Sequence, residues 1–487
     1  MPAFAAVRSR HPLRSLLAAA AVALLAGCSG SELVNDEGTP APPPPVAEHP
    51  RLMWSDPATW GGALPGPTTD VVIPAGRIVV VDRDVVVRSL AVDGVLLFAE
   101  RDLTLRTDWL HVRAGGRLQA GTPSQPRQAR LDIVLTARNA GEDVAGLGTN
   151  FVAATDAIVE LHGQRRLRWT LLDGTVPAGA REIRVLSAAG WRAGDRIAIA
   201  PTDFEPAELE QRRISAVDGN RLTLDAPLMF QHWGQVQTLG DSGATIDQRA
   251  PVALLTSNLT LRAEPGADAR FGGQLRVRGA SIAQVSHVAI EGFGQRGRLA
   301  RYPFYWDRVA DGSRSYLASS AIVDSRQRGI VINRSDALLH INNAVVGTYG
   351  HAVMLESSVE RRNVFERNLL LGTQPIPMAD RDAALDFEFE PVSAADASNG
   401  GRARVAGFWI SNAHNRLTNN HVAGVLHGNG YWFMEGAHSR FRDADFCIPG
   451  PRTLNDNGGC HLGYNAAFEA LRAASTFLEF RNNTVHT

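Results

Sequence analysis

The chain has 487 residues, with 49 basic and 50 acidic side chains and a formal net charge of −1. This balance argues against a general nucleic-acid-binding role, because such proteins present a large excess of positive charge. The length exceeds that of an ordinary globular domain, so the chain contains either several domains or a solenoid.

The N-terminus has the pattern of a bacterial lipoprotein signal peptide. Arginines precede an apolar run at 16–26, which is too short to cross a bilayer as a mature helix. The run ends in a Leu-Ala-Gly-Cys sequence at Cys28, and an acylated cysteine of this kind anchors stably. We therefore predict a signal peptide over 1–27 and lipidation of Cys28. The signal peptide predicts an exported protein of the cell envelope. Because Cys28 is not followed by an Asp, which would indicate retention at the inner membrane, we expect the protein to be held at the outer membrane.

The next segment, 28–50, is rich in Ser, Gly, Pro and acidic residues. A segment of this composition cannot bury a core, and its prolines favour the extended polyproline II conformation. We predict a flexible Pro-rich tether that holds the rest of the chain away from the membrane.

From residue 70 onward, short runs of β-branched residues alternate with Asp, Gly and Pro. Runs such as 71–73 and 78–81 predict short strands, and helical patterns nearly vanish. The pattern predicts an all-β protein.

The second half of the chain is periodic. The pattern that begins at Ser320 returns at 342–347, 367–372, 419–424 and 481–485. The early copies are about 20–25 residues apart, the length of one coil of a parallel β-helix. Asn residues at the repeated turn can adopt left-handed backbone and pair with the Asn of the next coil. We predict a parallel β-helix, and a large β-sandwich is the alternative.

Two features concern the C-terminal part of the chain. Cys447 and Cys460 lie in one Gly- and Pro-rich segment, so in an exported protein we expect them to form a disulfide. A metal site or a catalytic thiol is the alternative. The last copy of the repeat runs almost to Thr487 without a polar capping segment, which solenoids normally need, so we expect that the C-terminus is truncated.

Several motifs, in order, resemble the eight-glycine (G8) domain family. They lie at 54–61, 70–76, 92–94 and 115–122. Two later segments, 301–360 and 408–433, are similar to the β-helix that follows this domain in cell-surface hyaluronidases and their bacterial relatives.

The resemblance implies a right-handed parallel β-helix preceded by a β-rich G8 domain. It places the G8 domain at 51–172, a β-rich connecting segment at 173–250 and the β-helix repeats at 251–487. It also implies a surface protein that handles an acidic extracellular polysaccharide such as hyaluronan, although a fold alone does not establish catalysis.

The chain departs from the family pattern at two histidines. The family's Arg-Tyr-Pro motif continues with a His pair, and Tyr305 and Asp307 stand at those positions here. A later family His corresponds to Asn333. Paired His residues would be plausible metal ligands, so their replacement leaves the metal unknown and a divalent cation only an open option.

The resemblance and the coil positions together nominate site residues. Asp307, His351 and Glu356 fall at similar positions in neighbouring coils, so we expect them to converge on one face. Asp307 and Glu356 could serve as the two carboxylates of a glycoside hydrolase, and His351 as the base of an eliminative cleavage. Glu360 is a further catalytic candidate. The alternative is that all four are ordinary turn residues.

Four further residues are candidates for substrate binding. Arginine forks suit uronate carboxylates, and aromatic rings suit sugar faces. On this basis we nominate Arg301, Tyr302, Trp306 and Arg328.

Two classes of function stay open. One is an enzyme that cleaves an acidic extracellular polysaccharide, as the retained His351, Glu356 and Glu360 indicate. The other is a non-catalytic relative that binds glycans or scaffolds the surface, as the replaced histidines indicate. In both cases the partners are an extracellular polysaccharide and, through the lipid anchor, a membrane. The oligomeric state is left open.

Overall fold

The computed structural model describes residues 40–46, 49–136, 141–266, 268–357, 359–377, 380, 405–433 and 477–486. Cys28, Cys447 and Cys460 lie outside these residues. Within the described part of the chain, no helix is both long enough and apolar enough to span a bilayer.

The chain forms a parallel β-helix of stacked coils, which confirms the predicted all-β solenoid. Each full coil contributes one strand to each of three parallel sheets, which we name sheets A, B and C. The first strands are β1 (Arg51–Met53), β2 (Asp70–Ile73), β3 (Ile78–Val81), β4 (Val85–Val86), β5 (Ser89–Val92), β6 (Val95–Phe98), β7 (Leu103–Thr107), β8 (Trp109–Val112), β9 (Arg117–Ala120), β10 (Leu131–Leu135), β11 (Phe151–Thr155) and β12 (Ile158–His162).

A separate unit interrupts the fourth full coil, after β12. We call it the insert. Its strands are β13 (Trp169–Leu171), β14 (Glu182–Arg184), β15 (Arg196–Ile199), β16 (Glu210–Asp218), β17 (Arg221–Leu224), β18 (Val236–Leu239), β19 (Ala244–Asp247) and β20 (Pro251–Leu254). Six of them form an antiparallel sheet in the order β13-β20-β15-β16-β17-β14, and β18 and β19 form a hairpin.

The coils resume after the insert. Their strands are β21 (Leu259–Ala263), β22 (Gln274–Gly279), β23 (Ile282–Ser286), β24 (Val288–Glu291), β25 (Phe304–Val309), β26 (Tyr316–Ala318), β27 (Ala321–Val323), β28 (Ile330–Asn333), β29 (Leu339–Ile341), β30 (Ala344–Tyr349), β31 (Val353–Leu355), β32 (Val364–Glu366), β33 (Leu369–Gln374), β34 (Val405–Ile410), β35 (Arg416–Thr418), β36 (His421–Val425), β37 (Gly428–Phe433), β38 (Glu479–Arg481) and β39 (Thr484–His486). Among the residues described, there are four short 3-10 helices, at Pro57–Trp60, Pro206–Glu208, Gly240–Ser242 and Gly312–Arg314.

The three sheets run through the whole solenoid. Sheet A has the order β1-β3-β6-β9-β12-β23-β26-β29-β32-β35-β38, sheet B the order β2-β5-β8-β11-β22-β25-β28-β31-β34-β37, and sheet C the order β4-β7-β10-β21-β24-β27-β30-β33-β36-β39. The segment that resembles the G8 domain therefore forms the first coils of the same solenoid. Its strand β11 pairs in parallel with β22 of the following coil, with Phe151 opposite Gln274.

A continuous hydrophobic core fills the solenoid because alternate residues of each strand point inward. Buried residues from Trp54 to Val425 belong to one cluster. The insert has its own core around Trp191 and Ile197, and it also packs on the outer face of sheet C through small residues such as Ala198 and Ala253.

Asparagine side chains connect successive coils at the turn between sheets A and C. The amide of Asn343 donates to Asn368 (3.0 Å), Asn368 to Asn420 (2.9 Å) and Asn420 to Asn483 (3.0 Å). The residue with a left-handed backbone conformation is the one before each of these asparagines, as at Asn342, where φ is 55°. Two neighbouring residues thus divide the two roles that the sequence assigned to one turn position.

Candidate functional site

The outer face of sheet B brings several of the predicted residues together. In the register of β25 and β28, Tyr305 lies opposite Val331, and Asp307 lies opposite Asn333. The backbone amide of Glu356, just after β31, continues the ladder by donating to the carbonyl of Ile332 (2.8 Å). Because side chains alternate along each strand, these positions share the outer face.

Glu356 is the centre of a buried polar cluster. Its carboxylate accepts hydrogen bonds from the Tyr302 hydroxyl (2.8 Å), the Tyr305 hydroxyl (2.9 Å) and the Asn333 amide (2.8 Å). Arg328 lies 3.8 Å from the same carboxylate, with its guanidinium 4.7 Å from the centre of the Tyr302 ring. We name these five residues the Glu356 cluster.

The charges in this cluster are matched. A buried carboxylate is costly unless it is paired and hydrogen-bonded, and Arg328 with three neutral donors meets both requirements. Burial raises the pKa of the Tyr302 and Tyr305 phenols above the usual value of 10, and the negative charge of Glu356 adds to the effect. Both phenols therefore stay protonated and act as hydrogen-bond donors.

Asp307 lies among three arginines. The Arg276 Nε donates to its carboxylate (2.9 Å), and Arg278 and Arg308 each lie 3.8 Å away. Arg276 also lies over the Tyr305 ring, with 5.1 Å between the guanidinium carbon and the ring centre. One carboxylate thus lies among three positive charges at this end of the face.

The predicted carboxylate pair is on one face but is separated by a strand. Asp307 lies on β25 and Glu356 lies just after β31, on either side of β28, so their Cα atoms are about 10 Å apart. Asn333 lies between them, and its side-chain amide oxygen accepts a hydrogen bond from the Ser357 hydroxyl (2.9 Å). The position between the two carboxylate-bearing residues is thus taken by an amide side chain.

His351 lies at the edge of the cluster and joins two coils. Its Nδ1 accepts from the Ala406 backbone amide (3.0 Å), and its ring packs against Trp409 with 4.6 Å between the ring centres. Burial lowers its pKa well below the usual 6.5, and Arg328 acts in the same direction. The imidazole is neutral near pH 7 and is a weak base there.

Glu360 holds the turn that follows β31. Its carboxylate accepts from the backbone amides of Arg334 and Ser357, both at 2.8 Å. Burial raises the pKa of this carboxyl above its usual value. The structure thus places Glu360 in a turn contact, apart from Asp307.

Two of the nominated substrate-binding residues lie elsewhere. Trp306 points into the core of the solenoid, where its indole nitrogen contacts His340 Nε2 (2.9 Å), because it alternates with the outward Tyr305 and Asp307. A fully buried ring cannot stack on a sugar. Arg301 donates to the Gly146 carbonyl (3.0 Å) and so packs against the loop before β11.

Sequence reasoning missed Arg276 and Arg278, which flank Asp307 from the preceding strand β22. The alternation of Leu275, Arg276, Val277 and Arg278 is the signal that could have identified them, because it places both arginines on one face.

The face does not suit a cation. Among the residues that the structure describes, no three metal-ligating side chains converge. At the positions of the family's paired His, the Tyr305 hydroxyl donates a hydrogen bond to Glu356, and the Asp307 carboxylate accepts one from Arg276. Three guanidiniums around Asp307 repel a divalent ion, so we derive no step through a metal.

Comparison with known proteins identifies two families along the chain. The G8 domain model matches residues 59–173, and the CEMIP beta-helix model matches residues 270–452. Fibrocystin-L of Mus musculus is 28% identical over 435 residues, which is 79% of this chain, and protein rliB of Dictyostelium discoideum is 25% identical over 391 residues, or 77% of this chain. The chain spans 10% of the length of the first relative and 34% of the second.

One solved structure that the chain matches is the Gp54 tailspike of Acinetobacter baumannii bacteriophage AP22, determined in complex with A. baumannii capsular saccharide. It shares 11% identity at a TM-score of 0.19, over 69% of this chain and 68% of the tailspike chain, and a likeness this low carries no information on function. The two family models follow each other along one continuous solenoid. The chain therefore contains a segment at 59–173 that matches the G8 domain, followed by a segment at 270–452 that matches the CEMIP beta-helix.

Proposed function

We propose that the protein binds an acidic extracellular polysaccharide along the outer face of sheet B. The observation that carries this proposal is the convergence of Arg276, Arg278 and Arg308 on the single carboxylate of Asp307. Arginine forks pair with carboxylates and sulfates, which are the groups that uronic-acid and sulfated polymers present. The match of residues 270–452 to the CEMIP beta-helix supports the same class of ligand, and hyaluronan is the first polymer to test.

Exposure separates the residues that could touch a polymer from those that position them. The side chains of Arg278 and Arg308 are 35% and 47% exposed, whereas that of Asp307 is 3% exposed. Asp307 therefore holds the two outer arginines from below. The Glu356 cluster is buried on the same face, and its hydrogen bonds connect the strands β25, β28 and β31.

Binding is favoured over hydrolysis. The Asp307 carboxylate is engaged by the Arg276 fork, and the Glu356 carboxylate already accepts three hydrogen bonds. Neither carboxylate is placed to exchange a proton with a sugar oxygen. A phenol nucleophile, as in sialidases, would need an accessible phenolate, and the raised pKa values of Tyr302 and Tyr305 oppose one.

The test is polysaccharide binding by the full chain carrying Arg278→Gln and Arg308→Gln. We expect affinity electrophoresis to show hyaluronan binding by the unmodified protein and about tenfold weakening in the double variant, since two exposed charge pairs of up to about 1 kcal/mol each are lost and tenfold corresponds to about 1.4 kcal/mol. Neutral dextran should not bind.

The matched control is Arg184→Gln with Arg221→Gln on the insert, where the side chains are 62% and 55% exposed. It removes the same charge from another surface, and its hyaluronan affinity should stay within about twofold of wild type, as for surface changes away from a site. Equal losses in both double variants would contradict a site on sheet B. Shortening of hyaluronan by the unmodified protein, seen by size-exclusion chromatography, would contradict a purely binding role.

We also propose that the protein is displayed at the outer membrane by a lipid on Cys28. The support is the signal-like segment 1–27, which ends in small residues before this cysteine. An anchored binder would retain the polymer at the cell surface.

A further inference from the structure

A proline-rich segment lies against the outer face of sheet A. We call residues 40–46 the strap. Within it, Pro43 is buried, Pro40 and Val46 are partly buried, and the residues between them are exposed. A polyproline II helix has three residues per turn, so every third residue faces the same side. The burial pattern is therefore that of a polyproline II segment bound along one of its edges.

Three side chains of the solenoid bind the carbonyl groups of the strap. Gln284 Nε2 donates to the Ala41 carbonyl (3.1 Å), and Arg314 Nη2 donates to the Pro42 carbonyl (2.6 Å). Arg117 donates to the Pro44 carbonyl. Polyproline II has no internal hydrogen bonds, so its carbonyls are available to outside donors in this way.

The spacing of the sheet matches the pitch of the strap. Gln284 lies on β23 and Arg117 on β9, with β12 between them, so the two strands are about 9.6 Å apart. Ala41 and Pro44 are one polyproline II turn apart, which is about 9.3 Å. Donors on alternate strands therefore meet carbonyls at successive turns without distortion of either partner.

The donors are held in place by contacts of their own. Arg117 pairs with Glu160 on β12, and the two side chains are 8% and 3% exposed. Gln284 Nε2 also donates to the Arg314 carbonyl (2.9 Å). These contacts do not involve the strap, and donors that are held in place in this way lose less entropy when they bind a ligand.

We infer that the outer face of sheet A from β9 to β26 is a recognition site for proline-rich polyproline II segments, and that the strap occupies it in cis. The ligand class is an extended peptide with an apolar residue at every third position and free carbonyls between them. Other domains that bind proline-rich segments also exploit the preformed polyproline II conformation of the ligand. The tethered strap has an effective concentration of about millimolar, so an outside peptide binds only when the strap is displaced.

The experiment compares three forms of the full chain for binding of a fluorescent peptide with the sequence of residues 38–48. The contact variant changes Pro40, Pro43 and Val46 to Ser. The control variant changes Ala41, Pro42 and Pro45 to Ser, so both variants lose two prolines. We expect fluorescence anisotropy to show that the peptide binds the contact variant at least about tenfold more tightly than wild type or the control variant.

All three forms should show thermal melts within a few degrees of one another, because the strap lies outside the hydrophobic core. Peptides give an independent measurement on the contact variant. A peptide with Ser at its Pro43 position should bind about tenfold more weakly, and one with Ser at its Pro45 position should bind as the parent does. Absence of peptide binding to the contact variant, or equal binding to all three proteins, would overturn the inference.

Discussion

At the scale of single residues, the Glu356 carboxylate has a positioning role. Glu356→Gln keeps the shape of the side chain but removes the charge that compensates Arg328. Because this removes a carboxylate that lies beside a buried guanidinium, we expect the free energy of unfolding to fall by about 3 kcal/mol, as measured by urea titration. Tyr305→Phe removes one of three donors to the same carboxylate and should cost only about 1 kcal/mol.

The Glu356→Gln variant also distinguishes a positioning role of Glu356 from a catalytic one. Glu356 is buried, so Glu356→Gln should leave hyaluronan affinity nearly unchanged in protein that remains folded. If the unmodified protein cleaves the polymer and Glu356→Gln abolishes cleavage without loss of stability, Glu356 is catalytic and our assignment fails.

The site was predictable from sequence only in part. Coil periodicity placed Asp307, Asn333 and Glu356 on one face, and the register of β25, β28 and β31 agrees with that expectation. Their partners could not be predicted in the same way, because Arg276 comes from the preceding coil and Tyr302 lies before its strand. Side-chain direction was decisive for Trp306, since a shift of one residue along a strand exchanges the outer face for the core.

At the scale of the elements, the asparagine ladder determines how well the C-terminal coils hold together. Asn368 donates to Asn420 and to the His340 carbonyl (2.8 Å), and it accepts from the backbone of Asn343 (3.1 Å). We expect Asn368→Ala to lower the free energy of unfolding by about 3 kcal/mol in urea titrations, because it leaves several buried polar groups without partners.

The last rung of the ladder provides the control. Asn483 is partly buried and has a ladder neighbour, Asn420, on one side. Asn483→Ala should therefore cost only about 1 kcal/mol. Equal costs at the two positions would mean that the ladder contributes no more than isolated turn contacts.

The repeated Asn turns made the C-terminal coils predictable, whereas the insert was predictable only as β-rich. Its antiparallel strands follow local patterns, but its docking on sheet C depends on Ala198, Ala253 and other small side chains. Small residues have no characteristic spacing that would predict a docking surface from the sequence. The contact becomes recognisable only in the structure, where the facing residues, such as Ala321 and Ala344, lie next to the insert.

At the scale of the whole molecule, the proposed lipid on Cys28 determines whether the protein is attached to a membrane. Cys28→Ala removes the proposed acylation site, so the exported protein should move from the membrane pellet to the soluble fraction. Labelling with palmitate should occur in the unmodified protein and be lost in the variant. Equal labelling of the two proteins would show that the lipid is elsewhere or absent.

The strap changes the expected reach of such an anchor. The sequence indicated a flexible tether over 28–50, and the structure places 40–46 of it on sheet A. The proline content predicted the extended conformation, but the donors Arg117, Gln284 and Arg314 are distant in sequence, so the docking could not be predicted.

The place of the insert has a consequence for how the chain folds. Its first and last residues meet, since the Gln164 backbone amide donates to the Asn258 side chain (2.7 Å) across 94 positions of sequence. Closing a loop of that length costs about 4 kcal/mol of chain entropy. The fourth coil cannot be completed until this closure occurs. Folding should therefore pause after β12, and the growing chain should add its later coils only once the insert has brought its two ends together.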